Sequence, residues 1–132
     1  MQWTFEERID LQHPTGARNW PDLMMVQGDS RAHEWRVSVY DGGAAVDLPA
    51  YEISASFDRA DGKTIPVLGT AAGNVASVVL PQSVYAVSGA LRGVLQAKQD
   101  AQVITLASGR WFVRRGAGYD APQDGSSGGG TV

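Results

Sequence analysis

Between Val26 and Asp61 the apolar residues recur at every second position, and the interruptions fall on Gly and Asp. Trp35, Val37 and Val39 alternate with Arg36, Ser38 and Tyr40, and Tyr51, Ile53, Ala55 and Phe57 alternate with Glu52, Ser54, Ser56 and Asp58. Successive side chains of a strand point to opposite faces, so each segment offers one face to a core and one to water. A half-buried antiparallel sheet meets that pattern.

The rest of the chain extends it. Arg31 to Tyr40 reads as a strand, and Asp41-Gly42-Gly43 as a tight turn, because glycine accepts positive φ without steric cost. Ala44 to Leu48 is expected to pair back until Pro49 stops it. Tyr51 to Arg59 is a strand, Asp61-Gly62 a hairpin turn, and Lys63 to Thr70 a weaker strand placed at an edge by Pro66. Asn74 to Leu80 is a compact strand, and Leu23 to Gln27 a short one. Residues 3 to 12 alternate loosely, as in an edge strand or an arm laid on a neighbour, and His13 to Pro21 is a loop. One short helical turn is expected within residues 81–88, where Pro81 starts it and Val84 and Val87 stand three apart. Ala90 to Lys98 puts Leu91, Gly93, Leu95 and Ala97 on one face. Gln102 to Leu106 and Arg110 to Arg114 read as the last two strands. Eight or nine short strands at even spacing predict an all-β antiparallel sandwich. Its core is expected to contain Trp35, Val37, Val39, Ile53, Phe57, Val78, Leu80, Leu91, Leu95 and Trp111.

At 132 residues the chain has the length of one domain. The expected division is an N-terminal arm or first strand over 1–22, the sandwich over 23–115, and a Gly/Ser-rich tail over 116–132. No run of about 18 apolar residues suits a membrane span. Glu6, Glu7 and Asp10 make the N-terminus unlike a secretory signal. The absence of cysteine excludes a disulfide framework and a thiolate metal site. A formal net charge of −3 argues against a nucleic-acid partner, which is usually met by a basic surface.

Several short motifs have a chemical reading and a plainer one. Gly28-Asp29-Ser30 matches the start of an esterase signature, but both histidines, His13 and His33, come early and no Asp-x-x-His follows, so a polar turn is expected. Asp58, Asp61 and Gly62 lack the ligand spacing of a calcium loop, and Gly69 stands where its closing Glu belongs. Gly69 to Asn74 has no Lys-Ser/Thr and no following helix, so it is no phosphate loop. Arg110 to Arg115 mixes basic and aromatic residues, as single-strand binders do. Its plainer reading is a last strand with a buried Trp111–Val113 face and solvated arginines. No acid pair is singled out for glycoside hydrolysis. The expectation is therefore a protein with no catalytic, metal or cofactor site, not an enzyme.

Val26-Gln27-Gly28-Asp29, the strand Val37-Ser38-Val39-Tyr40 with Asp41-Gly42-Gly43, and Phe57-Asp58-Arg59-Ala60-Asp61-Gly62 follow one another in an order that resembles the N-terminal domain of the phage baseplate upper protein family. Asn74 to Pro81 and Leu91 to Ala97 resemble later pieces of the same pattern, and the likeness spans roughly residues 9–115. It implies a β-sandwich that attaches a fibre or receptor-binding component to the virion. The chain ends soon after the expected sandwich, which points to a small adaptor, fibre-base or decoration subunit rather than a receptor-binding head. Other virion proteins and further copies of the chain are the expected partners, without nucleic acid or membrane. The expected place is the virion, assembled in the host bacterial cytoplasm.

The polar ends carry isolated aromatics. Trp3, Phe5, Trp20 and Tyr119, with Tyr40 on the wet sheet face, are the protein-interface candidates, since aromatics are enriched at contacts. Residues 1–8 and 117–132 are expected to order only on assembly, and deletion of 1–8 to leave the sandwich folded. The alternative is a carbohydrate-binding sandwich recognising a host glycan through Tyr40 or Trp20.

Overall fold

The computed structural model describes residues 2–13, 16–20, 26–27 and 32–116. Among these, ten strands form two five-stranded sheets packed face to face. The first sheet joins β1 (Gln2–Asp10), β3 (Ala32–Asp41), β8 (Val75–Leu80) and β7 (Thr70–Ala72) in that order, with the short β4 (Ala44–Ala45) on β3. The second runs β2 (Arg18–Asn19), β10 (Gln102–Val113), β9 (Gly89–Gln99), β5 (Glu52–Asp58), β6 (Thr64–Leu68). One 3₁₀ turn, Gln82–Tyr85, falls inside the expected helical span and buries Val84 and Tyr85.

Alternation locates the core correctly. All ten expected core residues are at most 3% exposed, and Phe57 is fully buried. The indoles of Trp35, from the first sheet, and Trp111, from the second, meet edge to face with centroids 5.1 Å apart at 86°. Aromatic pairs prefer this arrangement because the electropositive ring edge meets the electronegative face.

Pairing departs from expectation in several places. The sheets are mixed rather than antiparallel: β1 runs parallel to β3, and β2 parallel to β10. Of the two readings of the N-terminal segment, the edge strand is the one observed, paired within the chain's own sheet from Gln2 opposite Ala32 to Asp10 opposite Tyr40. As an edge strand it points one charged side chain inward. Glu7 accepts the indole N–H of Trp35 at 3.0 Å, and an inward charge is one device that keeps an edge from pairing with foreign strands. Burial pushes the Glu7 carboxyl above the ordinary carboxylate range, against the opposing pull of the Trp35 hydrogen bond and the Arg18 charge.

The segment expected as one strand over 63–70 divides at Gly69 and changes sheets. β6 pairs with β5 in the second sheet, and β7 pairs with β8 in the first. A Cβ on Gly69 would lie 2.5 Å from the carbonyl oxygen of Ser77 and 2.8 Å from Ile53. Only a residue without a side chain passes between the two sheets there. Conversely, the two strands expected over 102–114 are one, β10, with a bulge between Thr105 and Ala107. The bulge adds one residue and so exchanges the faces. Ile104 packs on the core before it, Leu106 is the buried extra residue, and Ala107, Trp111 and Val113 are buried after it. Ala44 to Leu48 pairs as a ladder only over Ala44–Ala45. Of the expected strand 23–27, Val26 makes a single parallel bridge with Arg114, and the rest apart from Gln27 lies outside the described residues.

Candidate protein-contact face

The two outer faces of the sandwich are built differently. On the first sheet, charge is paired within the face. Arg36 contacts Glu34 at 3.1 Å and Glu6 at 3.5 Å. The Arg8 guanidinium lies 3.8 Å above the Tyr40 ring, a cation–π contact. At one end of this sheet, Asp10 accepts the backbone N–H groups of Gln12, Gly42 and Gly43, each at 2.9 Å. Those hydrogen bonds hold the Asp10 carboxyl below its ordinary pKa.

The second sheet's outer face follows from the alternation of β5, β9 and β10, whose inward residues fill the core. The registers place Ser54 beside Gln96 and Leu68, Ser56 beside Val94 and Pro66, and Val94 beside Ser108. These side chains are small or uncharged and make a flat centre. Leu68 is 87%, Val103 54% and Phe112 50% exposed. A shallow cleft of about 640 Å³ opens beside Leu68, with Tyr51, Ile53 and Thr70 in its wall, where the chain crosses between sheets. At the other end of the face a row runs Thr64, Asp58, Arg92, Arg110, Asn19. Asp58 accepts the Thr64 hydroxyl at 2.7 Å. Arg92 and Arg110, both exposed and directly opposite each other, have no hydrogen-bond or ion-pair partner among the described residues.

The interface candidates from the sequence are dispersed. Phe5 is a correction: it is fully buried in the chain's own core, 5.7 Å from Trp111 and 5.3 Å from Trp20. Its inward position on β1 gives the ring a closer partner than any neighbouring protein. Trp20 is half-buried against Phe5 and Trp111, with the Arg18 guanidinium 4.2 Å over its ring. Tyr40 carries Arg8 on one ring face. The two aromatics named for glycan stacking are thus each covered by a guanidinium. Trp3 is placed by its backbone opposite His33, and Tyr119 lies outside the described residues.

The chemical motifs resolve similarly. Gly28-Asp29-Ser30 lies outside the described residues. His33 is fully buried, 5.9 Å from the Phe5 ring and 4.9 Å from the Tyr85 ring. Asp61 serves the expected hairpin turn, bound by the Arg59 guanidinium and by the Lys63 N–H at 3.2 Å. No three His, Asp or Glu side chains converge as metal ligands among the described residues. No helix there is long and apolar enough to cross a membrane. The Arg110 to Arg115 stretch has its plainer form, with Trp111 and Val113 buried and the arginines exposed. Sequence reasoning missed Arg92, although its signal was present: it shares the wet face of β9 with Ala90 and Val94.

No protein-family model and no curated protein matches the chain. Among solved structures it is similar to the N-terminal domain of phage TP901-1 ORF48, with a TM-score of 0.59 and 9% sequence identity. The superposition covers 86% of this chain and 99% of that one. At such low identity the likeness is one of fold.

Proposed function

We propose that this protein is a structural subunit of a bacteriophage virion, a small adaptor, fibre-base or decoration protein. It attaches to neighbouring virion proteins through the outer face of β5, β9 and β10. The observation that carries the reading is a fold shared with nearly the whole of a phage protein's N-terminal domain. The resemblance of the Val26 to Asp61 segment to the baseplate upper protein family supports it independently of coordinates. The contrast between the two outer faces supports the choice of surface: the first pairs its charges internally and exposes Val79, and the second has a flat neutral centre with Leu68, Val103 and Phe112 exposed towards its margins. Three of the four large exposed apolar residues among the described ones lie on that face. No catalytic role belongs to this reading, and copies of the chain assemble together with their partners on the particle.

Quantitative mass spectrometry of purified particles from a host carrying the gene tests the proposal. A fixed copy number relative to the major capsid protein is expected. A chain found only in the unassembled fraction rules the virion role out.

A further inference from the structure

We infer that the open edge of β10 from Gln102 to Ser108 takes an extended segment of a different virion protein as an added strand, with a Lys or Arg side chain of that segment inserted beside Glu7. The inference rests on the proposed virion role and adds a second contact, at the seam between the two sheets.

On the side of β10 away from β9, β2 covers only Gly109 and Arg110, and Val26 bridges Arg114. Among the described residues no strand pairs there from Gln102 to Ser108. Sheet edges are ordinarily guarded by charge or proline. This stretch has neither, and only the bulge at Leu106 interrupts it. β1, the edge of the other sheet on the same side, carries Glu6, Glu7, Arg8 and Asp10. A cleft of about 240 Å³ spans the seam, walled by Glu7, Ile9 and Leu11 and by Thr105, Leu106 and Ala107. Small-molecule pockets usually start at about 300 Å³, and this cleft suits one inserted side chain. Glu7 gives it selectivity. The carboxylate is half-buried and has no ion-pair partner among the described residues. One oxygen accepts the Trp35 N–H, and the other has no hydrogen bond there. Arg18 attracts the charge without closing on it, its guanidinium lying over the Trp20 ring. An incoming ammonium or guanidinium offsets the cost of a carboxylate drawn out of water. Its apolar stem lies along Ile9, Leu11 and Leu106. Added strands bind through main-chain hydrogen bonds and are selected by their side chains. A strand bringing only apolar side chains would seal Glu7 in unpaired.

The occupant is a foreign chain rather than a second copy. Residues 117–132 contain no Lys or Arg. Arg36 and Arg59 are ion-paired, and Arg92, Lys98 and Arg110 stand on strands already paired on both sides in the chain's own sheet. Among the described residues, a second copy therefore offers no unpaired strand that carries a cation.

Particles produced with the full-length chain carrying Glu7→Gln should contain at least ten-fold less of it than wild type. The purified variant should melt no lower than wild type, because the amide oxygen still accepts the Trp35 N–H. Two measurements do not depend on that variant. In the otherwise wild-type chain, amide exchange across residues 102–108 should be slower in particles than in the free protein. Photo-crosslinking in particles from p-benzoylphenylalanine at Thr105, an exposed position, should capture a peptide of another virion protein that contains Lys or Arg, identified by mass spectrometry. Normal incorporation of the glutamine variant, or equal exchange in the two states, overturns the inference while leaving the virion role standing. Absence of the wild-type chain from particles removes both. Capture only of a second copy of this chain overturns the choice of occupant, and capture of a peptide without Lys or Arg overturns the pairing with Glu7.

Discussion

Gly93 on β9 stands directly opposite Gly109 on β10, and the pair is the bed on which the aromatic core lies. A Cβ on Gly93 would lie 2.7 Å from the Phe57 ring, and one on Gly109 2.7 Å from the Trp111 ring. Gly93→Ala and Gly109→Ala should each destabilise the fold by about 1–3 kcal/mol, the usual range for an overpacked core. Urea unfolding measures this. Midpoints equal to wild type would mean that the rings can retreat, and that the glycines are not there for close approach.

β1 is part of the domain, so it should behave so in the isolated chain. Phe5→Ala should cost about 3–5 kcal/mol, as for a fully buried ring. Removal of residues 1–8 should abolish the cooperative unfolding transition, because it strips the outer strand from β3 and takes the hydrogen-bond acceptor from Trp35. This reverses what the polar N-terminal sequence suggests. Amide exchange in the free protein gives a second measure: the N–H groups that β1 pairs with β3 should be protected.

Glu7 separates charge from hydrogen bonding. Its folded pKa is raised, so the folded state holds the proton more tightly than the unfolded chain, and the ionised form weakens the fold at neutral pH. Glu7→Gln keeps an oxygen for the Trp35 N–H and loses the charge. It should match or exceed wild-type stability at pH 7, with the advantage fading as pH falls through the carboxylate range. Glu7→Ala leaves a buried indole N–H without its acceptor and should cost about 1–3 kcal/mol at either pH. If the glutamine variant is as damaged as the alanine one, the carboxylate charge itself holds Trp35.

Asp61 has the opposite sign. Two hydrogen bonds from the Arg59 guanidinium lower its pKa from 3.8 to about 2. The stabilisation it gives the β5–β6 turn is complete above pH 4 and disappears as pH falls through about 2. Arg59 also donates to the Ser83 carbonyl at 2.9 Å, so the effect reaches the 3₁₀ turn. Asp10, whose pKa is also lowered, acts in the same direction at the Gly42-Gly43 turn. Asp61→Asn should flatten part of the acid limb of the stability curve. An acid limb identical to wild type would assign that loss to other carboxylates.

Period-two alternation placed Trp35, Phe57, Leu95 and Trp111 in the core without any knowledge of which strand neighbours which. The hairpin at Asp61-Gly62 was equally readable, since turn residues act locally. Harder features depend on partners distant in sequence. Phe5 reads as an isolated aromatic until β3 is beside it, and Arg92 as one solvated charge until Arg110 faces it across the ladder. The bulge at Leu106 hid the continuity of β10, because one extra residue exchanges the buried and exposed sets.

From its sequence alone, this protein's all-β character, its core faces, its local turns and the absence of a thiolate site follow, because each depends on side chains a few positions apart. Only the tertiary structure decides the parallel pairing of β1 with β3, the change of sheet at Gly69, the bed of Gly93 and Gly109, and the opposed arginines of the contact face. Strands pair through backbone N–H and C=O groups that are the same at nearly every residue. The sequence therefore records which side of a strand is buried, while the choice of neighbour comes from how the whole set of faces packs.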